Sequence, residues 1–256
     1  MKTKLLLTFL ATLLLSLSVS AQDAPQYVRV FEADVQPNSQ QAYEAALVRF
    51  AEAHRKLDTK RYYFVSTQEI GSPTTYTFGR VYQNLSEMNE PSLNVMVEAF
   101  GEEEAAKIVA PLDGRVVSQR SMMYVFRPDL SPDPGDDAAQ PVLINWLTVK
   151  IKPYGNAVYE AYLAKVAEAT EKVAPEFPFA TYSPAAGADN TYGFANPILS
   201  WEALDEGPGM PVPQRLVEAF GAREAQRLLE ERATVVESQS TVWVKPRPDL
   251  SYTAEM

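Results

Sequence analysis

The stretch Met96–Ser131, MVEAFGEEEAAKIVAPLDGRVVSQRSMMYVFRPDLS, returns 120 residues later as Leu216–Ser251, LVEAFGAREAQRLLEERATVVESQSTVWVKPRPDLS. The two align without a gap and agree at 15 of 36 positions. A repeat of this length means that one supersecondary unit is built twice, so the fold must accommodate two copies of whatever the first half makes. Upstream the offset between copies is 116, as in Tyr76/Tyr192 and Phe78/Phe194, which places an insertion of four residues near Gly207–Pro213.

Within each copy the hydrophobic period changes in a fixed order. Tyr27–Val35 and its counterpart Leu143–Ile151 read as strands, each closed by a proline, Pro37 or Pro153. A helical stretch follows, QQAYEAALVRFAEAHRKL, with Tyr43, Leu47, Phe50, His54 and Leu57 on one face; Tyr159, Leu163, Val166, Thr170 and Val173 repeat it. Glu44 and Glu160 fall on other faces and read as solvated. Two strands come next, at 61–68 and 74–82 in the first copy and at 177–182 and 191–199 in the second. The VEAFG helix and a last strand, 116–126 or 235–245, complete the unit. The order β-α-β-β-α-β predicts an α+β chain of tandem ferredoxin-like repeats, 22–131 and 142–251, forming an intramolecular α+β barrel; 132–141 is the linker and 252–256 a tail.

Residues 1–21 carry Lys2 and Lys4, the apolar run LLLTFLATLLL and a Ser-Val-Ser-Ala end, the pattern of an export signal cut near Ala21. That predicts a periplasmic or secreted protein with no integral membrane segment after cleavage. With no cysteine, such a protein relies on its core rather than on disulfides. The formal net charge of −10 becomes −12 once the two signal lysines are removed, which disfavours nucleic acid as a partner.

A sheet covered by helices on one side leaves its other face to be explained. In the first strands, Phe31, Ala33 and Val35, with Leu147, Val149 and Ile151 in copy two, form the apolar phase. The opposite phase is mixed: Val28, Val30, Glu32 and Asp34 against Ile144, Trp146, Thr148 and Lys150. Such a face suits a sheet-on-sheet contact enclosing a ligand. The helix entries VQPNSQQAYEAAL and IKPYGNAVYEAYL, together with EAFG-x-x-EA and the closing FRPDLS or PRPDLS, resemble the dimeric α+β barrel superfamily, including its antibiotic-biosynthesis-monooxygenase-like and NIPSNAP-like domains. In that superfamily two units pair face to face, so the resemblance implies a pseudo-dimer within one chain. It also implies that a small apolar or aromatic ligand, or the substrate of a cofactor-independent monooxygenase, would lie between the sheets.

The residues offered for ligand binding are Glu32, Tyr76, Gln119, Trp146, Thr148, Lys150, Tyr192, Gln239 and Trp243. Filling of the interface by the same aromatic side chains is the competing reading. His54 is the only histidine, so a zinc site lacks a second nitrogen or sulfur ligand. Haem-using members of the superfamily draw on histidine, or on Asn, Trp and His together; here Asn145 stands in the second copy, where no histidine lies. No cofactor or metal is therefore expected, and the catalytic residues, if the chain is an enzyme, stay unassigned. The pairs Ser118-Gln119/Ser238-Gln239 and Arg127-Pro-Asp129/Arg247-Pro-Asp249 recur in both halves, which points to a structural task. An exported small-ligand binder is the leading reading, a monooxygenase-like enzyme the second, and a structural or interaction module the third.

Overall fold

The computed structural model describes residues 26–89, 94–132, 140–205 and 209–253. The expected export signal lies outside them, as does most of the linker. Eight strands are present: β1 (Tyr27–Val35), β2 (Phe64–Ile70), β3 (Thr75–Tyr82), β4 (Val116–Phe126), β5 (Leu143–Ile151), β6 (Ala180–Ala186), β7 (Thr191–Ile198) and β8 (Val236–Pro246). The helices are α1 (Gln40–Leu57), α2 (Asn94–Phe100), α3 (Glu102–Val109), α4 (Asn156–Val173), the short α5 (Glu202–Asp205), α6 (Val212–Phe220) and α7 (Ala222–Val235). The strands follow one another in a single closed barrel, in the order β1-β3-β2-β8-β5-β7-β6-β4.

This corrects the expected fold class. The chain does not form tandem ferredoxin-like repeats: its strands close into one eight-stranded barrel, and β4 and β8, each 11 residues long, contain the positions at which the chain divides into compact units. One unit, here the split unit, comprises Asp23–Met123 with Val244–Met256; the central unit is Tyr124–Trp243. Each therefore contains the end of a strand that begins in the other half of the sequence.

In the split unit, β1 pairs antiparallel with β3 and β3 with β2; Ala33 stands opposite Tyr76, and Glu32 opposite Thr77. Alternation along the strands sends Ala33, Val35, Val65 and Tyr76 to one face, where they pack with Tyr43, Leu47 and Ala51 of α1. Fifteen buried residues do the same work in the central unit, among them Val149, Ile151, Tyr159, Leu163, Tyr192, Phe194 and Leu216. The β6–β7 turn comes later than proline placement predicts. β6 runs through Pro184 to Ala186, and the reversal is made by Gly187, Asp189 and Asn190, all at positive φ.

The recurring Arg-Pro-Asp-Leu-Ser segments fasten each unit. Arg247 donates to Glu44 Oε1 from Nη1 at 2.7 Å and to Asp249 Oδ2 from Nη2 at 2.7 Å. The Tyr76 hydroxyl donates to the same Glu44 oxygen at 2.8 Å. In the central unit Arg127, Glu160, Asp129 and Tyr192 repeat the arrangement, with Arg127 to Glu160 and Tyr192 to Glu160 both at 2.8 Å. The serine that ends each segment, Ser251 or Ser131, donates to the carbonyl of its own arginine at 2.7 Å. It also accepts the backbone N–H of Val65 or Thr181 at 2.9 Å. Glu44 and Glu160 are thus bound, not solvated. The Arg247 hydrogen bond, with that of Tyr76, holds Glu44 below the usual carboxylate range against the opposing effect of burial.

Candidate functional site

The central unit carries a cluster of aromatic side chains on the sheet face turned away from α4. Trp146 stands opposite Ala195, and Thr148 and Tyr182 both stand opposite Gly193, so these residues share one face. The Trp146 indole lies over Gly193: a Cβ built there would meet the six-membered ring at 2.5 Å, so only glycine leaves room for it. Tyr182 approaches the indole at 5.6 Å between ring centroids and Tyr124 at 6.3 Å, the latter edge-on, with Phe126 5.7 Å from Tyr182. These separations fall in the range of favourable aromatic pairs. Tyr182 is 5% exposed and burial alone pushes its hydroxyl pKa up.

Polar groups continue along the same strand. The Thr148 hydroxyl lies 3.3 Å from that of Ser240. Lys150 Nζ lies 2.8 Å from Asp189 and 3.4 Å from Glu237; the Asp189 hydrogen bond is the main cause of its raised pKa, so the ammonium stays charged and cannot act as a base near neutrality. Gln239, exposed on β8, accepts from Arg232 at 2.8 Å, and Trp243 is half-buried.

The split unit carries a different set at the equivalent places. Glu32 pairs with Arg120 and is largely covered by it. Asp34 accepts from Ser118 and, at 2.5 Å, from Thr75. Those two hydroxyls, Ser118 first, lower the Asp34 pKa. Gln119, the neighbour of Ser118 on β4, is exposed.

The structure thus brings Trp146, Thr148 and Lys150 to one face but does not bring Tyr76 and Tyr192 to it. Those tyrosines stand opposite Ala33 and Val149, on the helix-facing side, and are engaged with Glu44 and Glu160. Because side chains alternate along a strand, a residue's pairing partner decides its face, and pairing cannot be read from the aromatic repeat at offset 116. Tyr182 and Tyr124 join the site without having been expected. The available signal was Gly193 beside Tyr192, a strand glycine where another side chain comes close.

His54 lies elsewhere. It is 3% exposed, Nδ1 is 2.6 Å from the Thr59 hydroxyl, and Phe50, Tyr63 and Tyr252 surround the ring at centroid distances of 4.7, 5.5 and 5.2 Å. Burial first, then the charges of Arg80 and Arg61, pulls its pKa from 6.5 down to about 4. Asn145 is on the helix-facing phase of β5; its Oδ1 is sealed without a partner, and its carbonyl accepts from Asn196 at 3.0 Å. With the sole imidazole enclosed by rings in the split unit and Asn145 facing the helices, these residues do not fit haem held at the Trp146 face. Among the described residues no group of three His, Cys, Asp or Glu side chains could hold a metal ion, and no helix is long and apolar enough to cross a membrane.

No protein-family model matches the chain, and no curated protein sequence does. Solved structures match over nearly the whole chain. A protein of Lactobacillus acidophilus NCFM, provisionally assigned as a monooxygenase, superposes with a TM-score of 0.55 at 11% identity, covering 90% of this chain and 96% of its own. An anthrone oxidase-like protein gives 0.53 at 11%, covering 90% and 94%, and a mutant chlorite dismutase from Candidatus Nitrospira defluvii gives 0.53 at 10%, covering 90% and 93%. At such identities the likeness is one of fold. The barrel of this chain is similar in fold to those monooxygenase-like and chlorite dismutase structures.

Proposed function

We propose that this protein binds a small aromatic molecule against the Trp146 face of its central unit. The indole supplies the stacking surface and the Tyr182 hydroxyl donates to an oxygen of the ligand. The observation that carries the reading is the Trp146 indole seated on bare Gly193 and flanked by Tyr182 and Tyr124. Binding is favoured over turnover because Lys150, the nearest titratable side chain along β5, is held charged by Asp189. His54 belongs to the ring cluster of the split unit. We read the chain as exported, from the pattern of residues 1–21.

Binding is tested by quenching of intrinsic tryptophan emission and by thermal shift, with anthrone, naphthol and anthraquinone derivatives as probes. Replacing Trp146 by Phe should weaken binding about tenfold, on the order of 1.4 kcal/mol, and Tyr182→Phe should weaken ligands bearing a carbonyl or phenolate oxygen more than plain hydrocarbons. If no probe shifts either signal, or if both variants bind as the parent does, the reading is lost. An N-terminal sequence beginning at Gln22 in protein recovered from the cell envelope would support export.

The second reading, cofactor-independent oxidation, is favoured by the anthrone oxidase-like neighbour. It predicts oxygen uptake when the purified protein is mixed with an anthrone. Binding without oxygen uptake leaves the binder reading alone.

A further inference from the structure

Arg215 is the one buried residue of α6 that the packing of the chain does not explain. It is 7% exposed. Its Nε donates to the Met210 carbonyl at 2.7 Å and its Nη1 to the Thr170 hydroxyl at 3.2 Å. A guanidinium has five N–H groups, so three of them find no acceptor among the described residues. None of the ion pairs formed by described residues involves it, and burial lowers its pKa, with Glu176 acting only from a distance.

The other half of the chain shows that nothing in this position demands a charge. At the offset of 120, Arg215 corresponds to Val95, which is 2% exposed and packs with Met96 and Ala99. An apolar side chain therefore suffices to fill the place between the two helices. A guanidinium in that place must have its N–H groups met, and the Met210 carbonyl and Thr170 hydroxyl meet two of the five. The planar fork of arginine matches a carboxylate, which can accept two parallel N–H groups. Beside the fork lies Phe177, whose ring centroid is 5.4 Å from the guanidinium carbon and whose side chain is 36% exposed. Gly209, at φ +67°, admits that ring: a Cβ there would meet it at 2.2 Å.

We propose that Arg215 is the receptor for a small carboxylate, and that a carboxylate borne on an aromatic ring binds best because Phe177 offers part of its ring alongside. The site is separate from the Trp146 face and does not depend on the function proposed for it.

Benzoate, acetate and inorganic phosphate are titrated against the full chain at constant ionic strength, following melting temperature and the amide resonances of residues 209–215. Benzoate is expected to raise the melting temperature and to bind more tightly than acetate. Arg215→Val, which installs the residue of the other half, should weaken benzoate at least tenfold while circular dichroism shows a folded chain. Arg215→Lys, which keeps the charge but not the fork, should fall between. A benzoate response lost in Trp146→Phe and kept in Arg215→Val would place benzoate at the Trp146 face and overturn the proposal. The proposal is overturned if benzoate has no effect beyond that of chloride, if Arg215→Val binds it as the parent does, or if phosphate binds as tightly as benzoate. Should Arg215→Val not fold, Arg215→Lys and Arg215→Gln decide by the same comparison, and undiminished binding in both sinks it.

Discussion

The residue with the clearest solution consequence is His54. Its ring is packed against Phe50, Tyr63 and Tyr252 and bonded to Thr59, so the charged form is disfavoured in the folded chain, with a pKa of about 4 against 6.5 for an unperturbed imidazole. A depressed folded pKa means that the unfolded chain binds the extra proton. Stability is therefore full above about pH 6.5, falls as the pH drops towards 4, and levels off below that. The groups facing the ring from neighbouring elements are Arg61, Arg80, Tyr63 and Tyr252, and none supplies a negative charge near neutrality. The total loss is at most about 3 kcal/mol, from roughly 1.4 kcal/mol per pH unit. Urea midpoints at pH 7, 6 and 5 should fall in the parent and stay flatter in His54→Asn, which keeps a hydrogen-bonding group for Thr59 and cannot titrate. A parent as stable at pH 5 as at pH 7 would contradict the argument. Glu44, Asp34 and Asp249, whose pKa values are lowered, lose their contributions only below about pH 4.5, under the three pH values measured.

At the scale of elements, the two Arg-Pro-Asp-Leu-Ser segments do more than stop a strand. Arg247 ties the end of β8 to Glu44 of α1, whose carboxylate also accepts from Tyr76 of β3, while the Arg247 backbone N–H donates to the Val65 carbonyl at 2.8 Å. Arg127 does the same for α4 and β7. The side chains of Arg247 and Glu44 are 22% and 32% exposed, so the pair lies between an exposed ion pair, worth under about 1 kcal/mol, and a buried one, whose rupture costs about 3–5 kcal/mol. Arg247→Ala and Arg127→Ala should each lower stability by on the order of 2 kcal/mol in urea unfolding, and Glu44→Gln combined with Arg247→Ala should cost less than the sum of the two. Additive losses would mean that the pair is not coupled. The recurrence of RPD in both copies was legible in the sequence, and so was its structural purpose. Its partners were not, because Glu44 and Glu160 sit on polar faces of their helices, and only the strand pairing brings an arginine from more than thirty residues away onto them. The same limit applies at the candidate site. Trp146, Thr148 and Lys150 could be grouped by alternation within one strand, whereas placing Tyr76, Tyr192 and Tyr182 required the register between strands.

For the whole molecule, duplication was readable but the sharing of strands between the halves was not. The order of elements is a local property of the chain, set by hydrophobic period and by proline and glycine placement. Which half a strand's end joins is a question of contacts far apart in sequence. The compact units divide within β4 and β8, at Met123/Tyr124 and Trp243/Val244, so neither copy of the repeat holds a complete unit. The split unit takes Leu250 and Tyr252 into its core from the end of the second copy, and Tyr63 and Tyr252 exchange backbone hydrogen bonds at 2.8 and 3.1 Å. The central unit takes Leu130 from the end of the first copy. A protease site engineered into 133–139 tests this division. After cleavage the fragments should stay together through native mass spectrometry and size exclusion, since each supplies core residues to the unit built mainly by the other. Expressed alone, 22–132 should fold poorly, because it lacks Arg247 for Glu44 and the Tyr252 partner of Tyr63. Adding 140–256 should restore its structure. Fragments that separate on cleavage, each with its own cooperative melting transition, would show instead that every copy of the repeat closes on itself.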